Sequence, residues 1–193
     1  MATAGVLSDL MRQPNFKPQS PIRGFPPISR EDAEILILGS MPSEESLRAK
    51  QYYAHPRNAF WPMMMELLGG SENLDYDDQA RLLIENRIAL WDTLKSCSRN
   101  GSLDSAIVEE SIETNDFNSF FRKHKKIRHI FFNGQKSRQV FSKYVLPDLP
   151  EICKAIEFSV LPSSSPAMAM LNRKQKTDAW RVILRLLNNK NAS

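Results

Sequence analysis

Residues 39–61 (GSMPSEESLRAKQYYAHPRNAFW) hold the side-chain types best suited to binding and chemistry. Gly39 lets a ligand approach the backbone closely, and consecutive N–H groups after it can bind phosphate oxygens. The Asn58 amide donates and accepts hydrogen bonds but cannot take up a proton near pH 7. Asn is also a common helix cap, so Asn58 by itself favours a cap for the helix that begins near residue 59. The two roles can coexist.

A second stretch of small residues, 162–167 (PSSSPA), can bring backbone close to a ligand in the same way. Two carboxylates, Asp92 and Asp104, are candidates for the acid–base pair of a glycosidase, but their spacing in the sequence does not pair them. Asp92 ends a predicted strand and could line a site. The three histidines and two cysteines lie far apart and form no metal-binding pattern, so we expect no metal and no cofactor.

Alternating strands and helices must position these segments. Continuous apolar runs predict buried strands over residues 34–38, 88–91, 127–132 and 155–161. Helical spacing predicts helices over residues 60–68, 76–86, 116–125, 135–144 and 174–188, and residues 40–57 are predicted to be a long loop. This alternation indicates an α/β fold with a parallel sheet covered on both faces. Ligands of such sheets bind at the carboxyl ends of the strands, where the stretches beginning at Gly39, Asp92, Asn133 and Pro162 should meet.

Residues 39–61 resemble the first motif of the uracil-DNA glycosylase superfamily, and more narrowly its hypoxanthine-DNA glycosylase branch, family 6. Further matches follow in the family's order: GFPPI (24–28), ALWDTLKSCSRNGSLDS (89–105), IFFNG (130–134) and LPSSSPA (161–167). The resemblance implies a three-layer α/β/α fold with a central four-stranded, mainly parallel sheet. It also implies a monofunctional DNA-deoxyinosine glycosylase of base excision repair, which flips hypoxanthine out of deaminated DNA and hydrolyses its N-glycosidic bond.

The resemblance also assigns roles. Asn58 matches the asparagine taken as catalytic in the hypoxanthine branch, and Tyr53 matches an aromatic residue that stacks on the extruded base in mismatch-specific relatives. Met41 stands where better-known branches carry Asp or Asn. Leu161 stands where they carry His or Asn. Neither can act as a general base, which favours the hypoxanthine branch over efficient uracil removal. The predicted base pocket consists of Gly39, Ser40, Met41, Pro42, Ser43, Tyr53 and His55. Burial for Tyr53 and a structural role for His55 are the alternatives.

The last motif resembles the loop that pinches the DNA backbone in this superfamily. The predicted DNA-binding residues in and around it are Leu161, Pro162, Ser163, Ser164, Ser165, Pro166, Ala167 and Met168, followed by Arg173, Lys174 and Lys176 at phosphates. Met168, Met170 or Leu171 could fill the gap left by the flipped nucleotide, as apolar wedges do elsewhere. Ordinary helix packing is the alternative for the two methionines.

Charge is distributed unevenly along the chain. Residues 1–121 carry 11 Lys and Arg against 18 Asp and Glu, whereas residues 122–193 carry 15 against 4. With a pI near 9.1, this basic last third favours a polyanionic partner, although a solvated basic surface would look the same. No apolar run reaches the roughly 20 residues of a membrane helix, and no signal peptide is recognisable.

From these observations we expect a flexible arm over residues 1–23 and a single catalytic domain over residues 24–193. The expected partner is double-stranded DNA with a deaminated base, with single-stranded DNA as a second form. We also expect a monomer and an intracellular location, cytoplasmic or at the nucleoid in a prokaryote. Three alternatives stay open: a mismatch-specific uracil or thymine glycosylase, a non-catalytic nucleic-acid-binding protein of the same fold, and a small-molecule α/β enzyme.

Overall fold

The computed structural model describes residues 21–150, 153 and 155–188, and only the backbone of residue 188. The strands in chain order are β1 (Ile22–Arg23), β2 (Ile35–Gly39), β3 (Ile88–Asp92), β4 (Leu94–Cys97), β5 (Glu113–Thr114), β6 (His129–Asn133) and β7 (Glu157–Leu161). The α-helices are α1 (Glu44–Ala49), α2 (Phe60–Leu68), α3 (Tyr76–Glu85), α4 (Phe117–Lys123), α5 (Gln135–Tyr144), α6 (Arg173–Trp180) and α7 (Val182–Asn188). Short 3-10 turns lie at Asp104–Ala106, Glu109–Ser111 and Leu146–Asp148.

Four parallel strands form the main sheet in the order β3-β2-β6-β7. Every residue of β2 and β3 is buried, because helices cover the sheet on both faces. Parallel neighbours need long crossover connections, and the helices between the strands supply them. The predicted α/β/α fold with a central four-stranded parallel sheet is confirmed. The carboxyl ends of its strands therefore share one edge.

A second, antiparallel sheet was not predicted. It consists of β1, β4 and β5, with Ile22 opposite Cys97 and Arg23 opposite Ser96. Strands of two residues are too short to show a hydrophobic period, so the sequence carries no signal for them. Residues 1–20 of the predicted arm lie outside the described part of the chain. The last two residues of the predicted arm, Ile22 and Arg23, form β1. The prediction that the flexible arm extends to Arg23 is therefore corrected.

Large aromatic side chains fill the core on either side of the main sheet. Phe60 of α2 packs edge-to-face on Trp180 of α6, with 5.8 Å between ring centroids, and both are fully buried.

Two predicted segments differ in detail from the observed elements. The helix predicted over residues 174–188 is broken at Arg181 into α6 and α7, and the loop predicted over residues 40–57 contains α1. Within the described residues, no helix is long and apolar enough to cross a membrane.

Candidate active site

A cavity of about 420 Å³ opens at the carboxyl ends of the parallel strands, within the usual size range of small-molecule sites. It brings together most of the predicted pocket with much of the last motif: Gly39, Ser40, Met41, Pro42, Ser43, Tyr53, Asn58, Ser163, Ser164, Ser165, Ala167 and Met168. Residues that the sequence did not assign to the pocket also line it: Ser46, Tyr52, Asp92, Ser102, Leu103, Asp104, Ser105 and Asn133. The rule that ligands bind at strand ends therefore predicted the edge of the sheet at which these segments surround one cavity.

His55 is not among the residues that line this cavity. Its Nδ1 accepts a hydrogen bond from the Arg57 backbone N–H at 3.0 Å, and its carbonyl oxygen accepts from the Asn58 N–H at 2.8 Å. Both contacts stabilise the turn that leads into α2. The structure thus supports the structural alternative for His55 and corrects its assignment to the base pocket.

Asn58 lines the cavity at the start of α2 and uses one end of its amide locally. Its Oδ1 accepts a hydrogen bond from the Phe60 backbone N–H at 3.0 Å, which satisfies one of the free donors at the helix start. Among the described residues, no partner binds its Nδ2. The cap and the predicted functional role are therefore compatible. The cap fixes the amide so that its two N–H donors are available to a bound molecule.

Tyr53 is held in an unusual backbone conformation, with φ at 55° in the left-handed region. Its ring stacks on Phe60, with 4.2 Å between centroids. Its hydroxyl is buried and has no hydrogen-bond partner in the described part of the chain, and burial raises the pKa of the phenol well above its usual value. The ring is therefore a wall of the cavity, and its hydroxyl stays protonated as a donor.

Asp92 ends β3 directly opposite Gly39 of β2. The Asp92 side chain occupies the space where any other residue at position 39 would place a Cβ, because an added Cβ would come within 2.2 Å of Asp92 Oδ1. Gly39 is thus required to make room for a carboxyl group, a reason that the sequence does not reveal. Only 3% of Asp92 is exposed, and its Oδ2 has no hydrogen-bond partner among the residues that the structure describes.

The electrostatics of the cavity raise the pKa of Asp92 to about 8, because burial penalises the charged form and Asp104 adds a repelling charge. Arg99 opposes this shift with a smaller effect. Burial also raises the pKa of Asp104, although the hydrogen bond from the Ser40 hydroxyl, at 2.6 Å, favours its ionised form. At pH 7 the Asp92 carboxyl is therefore mostly neutral and can donate a hydrogen bond.

Arg99 joins the two loops that form one wall of the cavity. Its buried guanidinium donates to the carbonyl oxygens of Pro42 and Gly101, and its Nη1 lies 3.6 Å from Asp104 Oδ1. These contacts hold the loop after β2 against the loop that carries Asp104. Sequence reasoning did not find this cluster, because Pro42 lies 57 residues before Arg99 along the chain.

The last motif is fastened to the sheet by Asn133 at the end of β6. The Asn133 amide donates to Ser164 Oγ and accepts from the Ser164 N–H, both at 2.8 Å. The Ser164 carbonyl oxygen in turn accepts from the Ala59 N–H at 3.0 Å. Ser164 is buried as a result, and its side chain organises the loop. Its contact with DNA stays a prediction.

Helix α6 holds the same loop from the other side. Trp180 Nε1 donates to the Pro162 carbonyl oxygen at 2.9 Å, and Lys176 Nζ donates to the Ser165 carbonyl oxygen at 3.1 Å. Lys176 is only 4% exposed, and burial lowers the pKa of its amine. The prediction that Lys176 binds phosphate is therefore corrected: its amine is directed at the loop and not at solvent.

The other predicted DNA contacts fall into two groups. Leu161 is buried in the core, which corrects its assignment as a DNA contact. Arg173 is exposed but pairs with Glu72, and Lys174 beside it is exposed. Pro162, Ser163, Ser165 and Pro166 are half-buried, Ala167 is exposed and Met168 is half-buried at the cavity. Met170 is 89% exposed, which is unusual for so large an apolar side chain.

A profile of the uracil DNA glycosylase superfamily matches residues 26–187. The chain belongs to this superfamily. Over 164 residues, 84% of this chain and 98% of the relative, it is 39% identical to the hypoxanthine DNA glycosylase of Methanosarcina acetivorans. A second hypoxanthine DNA glycosylase, from Methanosarcina barkeri, is 39% identical over 116 residues, 60% of this chain and 72% of that protein.

A solved structure is also similar. The solution NMR structure of a uracil DNA glycosylase candidate from Methanosarcina acetivorans superposes with a TM-score of 0.72 at 38% identity, covering 88% of this chain and 99% of that one. The superfamily assignment from the sequence is confirmed.

Sequence reasoning gave no specific role to two residues that line the cavity, Asp92 and Asn133. Both end strands of the main sheet, and that position was the available signal.

Proposed function

We propose that this protein is a monofunctional DNA glycosylase that excises hypoxanthine from deaminated DNA. The observation that carries the proposal is the state of Asn58: its Oδ1 is engaged by the Phe60 N–H, and its Nδ2 is left free in a cavity lined by both superfamily motifs. The two similar proteins named hypoxanthine DNA glycosylase support the choice of base.

The target nucleotide must leave the duplex before the reaction, which costs a few kcal/mol and is easiest for a mispaired base. Hypoxanthine pairs imperfectly with the bases opposite it, so part of this cost is already met. In the cavity, the Asn58 Nδ2 donates a hydrogen bond to an acceptor on the purine. As the bond to C1′ breaks, the base takes the bonding electrons, and this hydrogen bond strengthens.

The rest of the cavity fits stabilisation of the leaving base better than strong activation of water. The position that orients water in better-known branches holds Met41, a buried thioether that cannot take a proton. Leu161 at the other such position belongs to the core. Of the described residues that line the cavity, none is a lysine, which supports hydrolysis without a lyase step through an amine nucleophile.

The proposed substrate is double-stranded DNA, with single-stranded DNA as a second form in which no base pair has to be opened. We propose that the exposed Lys174 contacts a phosphate and that the exposed Met170 fills the gap in the base stack. We propose that the enzyme acts as a monomer inside the cell, because scanning for a lesion needs only one face of the domain. Sedimentation at twice the monomer mass of 22.1 kDa would contradict the monomer.

The test is excision from duplexes that carry one inosine, uracil or thymine mismatch, scored as alkali-sensitive abasic sites, with inosine single strands alongside. Release of hypoxanthine is expected to be fastest. Preference for uracil or thymine would favour a mismatch-specific enzyme, and salt-sensitive DNA binding without excision would indicate a non-catalytic binding protein.

Variants at position 58 test the mechanism. Asn58→Asp keeps the acceptor for the Phe60 N–H and removes the donor, so the helix cap survives while the proposed contact is lost. We expect both Asn58→Asp and Asn58→Ala to reduce single-turnover excision by about 10²–10³-fold. Asn86→Ala, which removes another helix-terminal amide away from the cavity, is the matched control and should retain activity. Full activity in Asn58→Ala would refute the assignment.

A further inference from the structure

A buried carboxyl group lies in the cavity without a described partner for one of its oxygens. Asp92 is 3% exposed, lines the cavity and has no hydrogen bond to its Oδ2. A buried polar atom normally has a partner, and leaving it without one costs about 1–3 kcal/mol. The fold leaves space for this group by placing Gly39 opposite it, because an added Cβ at position 39 would collide with Asp92 Oδ1. The buried Asp92 carboxyl group, with one oxygen that has no described partner, is therefore a candidate to bind the ligand that fills the cavity.

The charged and titratable groups around Asp92 decide its protonation. Asp104 repels its charge, and Arg99 attracts it with a smaller effect. The Arg99 guanidinium donates to the Pro42 and Gly101 carbonyl oxygens and lies 3.6 Å from Asp104. Tyr52 and Tyr53 are protonated, since burial raises the pKa of both phenols. The raised pKa of Asp92 means that the neutral acid predominates below about pH 8.

A neutral carboxylic acid and an ionised one recognise different ligands. The neutral group carries one O–H donor beside one acceptor, whereas the carboxylate carries acceptors alone. Hypoxanthine presents a keto oxygen at C6, an acceptor, next to an N1–H donor. A carboxylate would repel that keto oxygen, while a neutral acid matches both groups on the edge. Proteins do keep buried carboxyl groups neutral at pH 7 in order to donate to a developing oxyanion.

We propose that Asp92, as a neutral carboxylic acid, reads the extruded base by donating a hydrogen bond to its keto oxygen. This inference rests on the proposed function and adds a second donor to the one from Asn58. The contact strengthens as the departing base accumulates negative charge, so it contributes to the rate as well as to recognition. Asp92 also accepts from the N1–H through its other oxygen.

The experiment compares wild type, Asp92→Asn and Asp92→Ala in single-turnover excision from an inosine duplex between pH 6 and pH 9.5. Asn has a similar shape and supplies a donor and an acceptor with no proton to lose. We expect Asp92→Asn to stay within about fivefold of wild type at pH 7 and Asp92→Ala to lose about 10²-fold. Above pH 8, wild type should lose activity relative to Asp92→Asn, approaching tenfold per pH unit. Ionisation of the base itself affects both enzymes alike and cancels in this ratio.

Each outcome separates the two proposals. If wild type releases no hypoxanthine, the proposed function fails and the role of Asp92 fails with it. If wild type is active and Asp92→Asn is as slow as Asp92→Ala, the acid acts in its ionised form, and only the inference is overturned. Activity of Asp92→Ala equal to wild type would also overturn it. Asp148→Asn, an exposed carboxyl group outside the cavity, is the control and should match wild type at every pH.

Discussion

Replacing Asp92 with Asn is expected to stabilise the protein, and the gain should grow as the pH rises. An unfolded Asp side chain titrates near its model value of 3.8, whereas in the folded protein the pKa of Asp92 is about 8. Between these values the folded state holds a proton that the unfolded state has released. The free energy of unfolding of the wild type therefore falls as the pH rises from about 4 to about 8, and this contribution is level above that range.

The size of the effect follows from the same two pKa values. Each pH unit inside the window changes the free energy of unfolding by about 1.4 kcal/mol. From pH 5 to pH 7.5, the wild type should lose about 3 kcal/mol that Asp92→Asn does not lose. This is a large part of the 5–15 kcal/mol that stabilises an ordinary domain.

Urea unfolding of both proteins at pH 5, 6, 7 and 7.5 measures the difference directly, because urea is uncharged and leaves the electrostatics intact. Asp148→Asn serves as the exposed control and should run parallel to the wild type. A difference between Asp92→Asn and wild type that stays constant over this range would refute the reasoning. It would mean that Asp92 is ionised in the folded protein, despite its burial.

Two further predictions concern the same site and the DNA face. Gly39→Ala should destabilise the protein by about 1–3 kcal/mol, because the added methyl group collides with Asp92 Oδ1. In an Asp92→Ala background the same substitution should destabilise the protein by clearly less. Additive effects of the two substitutions in a thermal double-mutant cycle would rule out the collision. Lys174→Ala should lower the slope of log affinity for duplex DNA against log salt concentration by about 0.9. Lys176→Met should leave that slope unchanged because its amine donates to the Ser165 carbonyl oxygen, and an equal loss of slope in both variants would contradict the assignment.

Much of the fold could be predicted because its signals are local. The spacing of apolar residues and the glycine at position 69 define α2 over Phe60–Leu68, where the chain turns into a left-handed C-cap. Continuous apolar runs in the same way indicated the four parallel strands, although their ends shifted by one or two residues. The rule that strand ends meet at one edge then placed Gly39, Asn58 and the serine-rich loop around one cavity.

The sequence by itself determined the α/β alternation, the motifs of the superfamily and the Asn58 amide as the candidate for the chemistry, because each depends on residue types and on neighbours along the chain. Only the tertiary structure decided that Asp92 faces Gly39 on the neighbouring strand and that Asp104 lies close enough to repel it. It also decided that Lys176, which was expected to bind phosphate, is buried under the serine-rich loop. Burial and proximity between distant segments set the charge and the availability of a side chain. Those quantities arise when the elements pack together, and no local pattern encodes them.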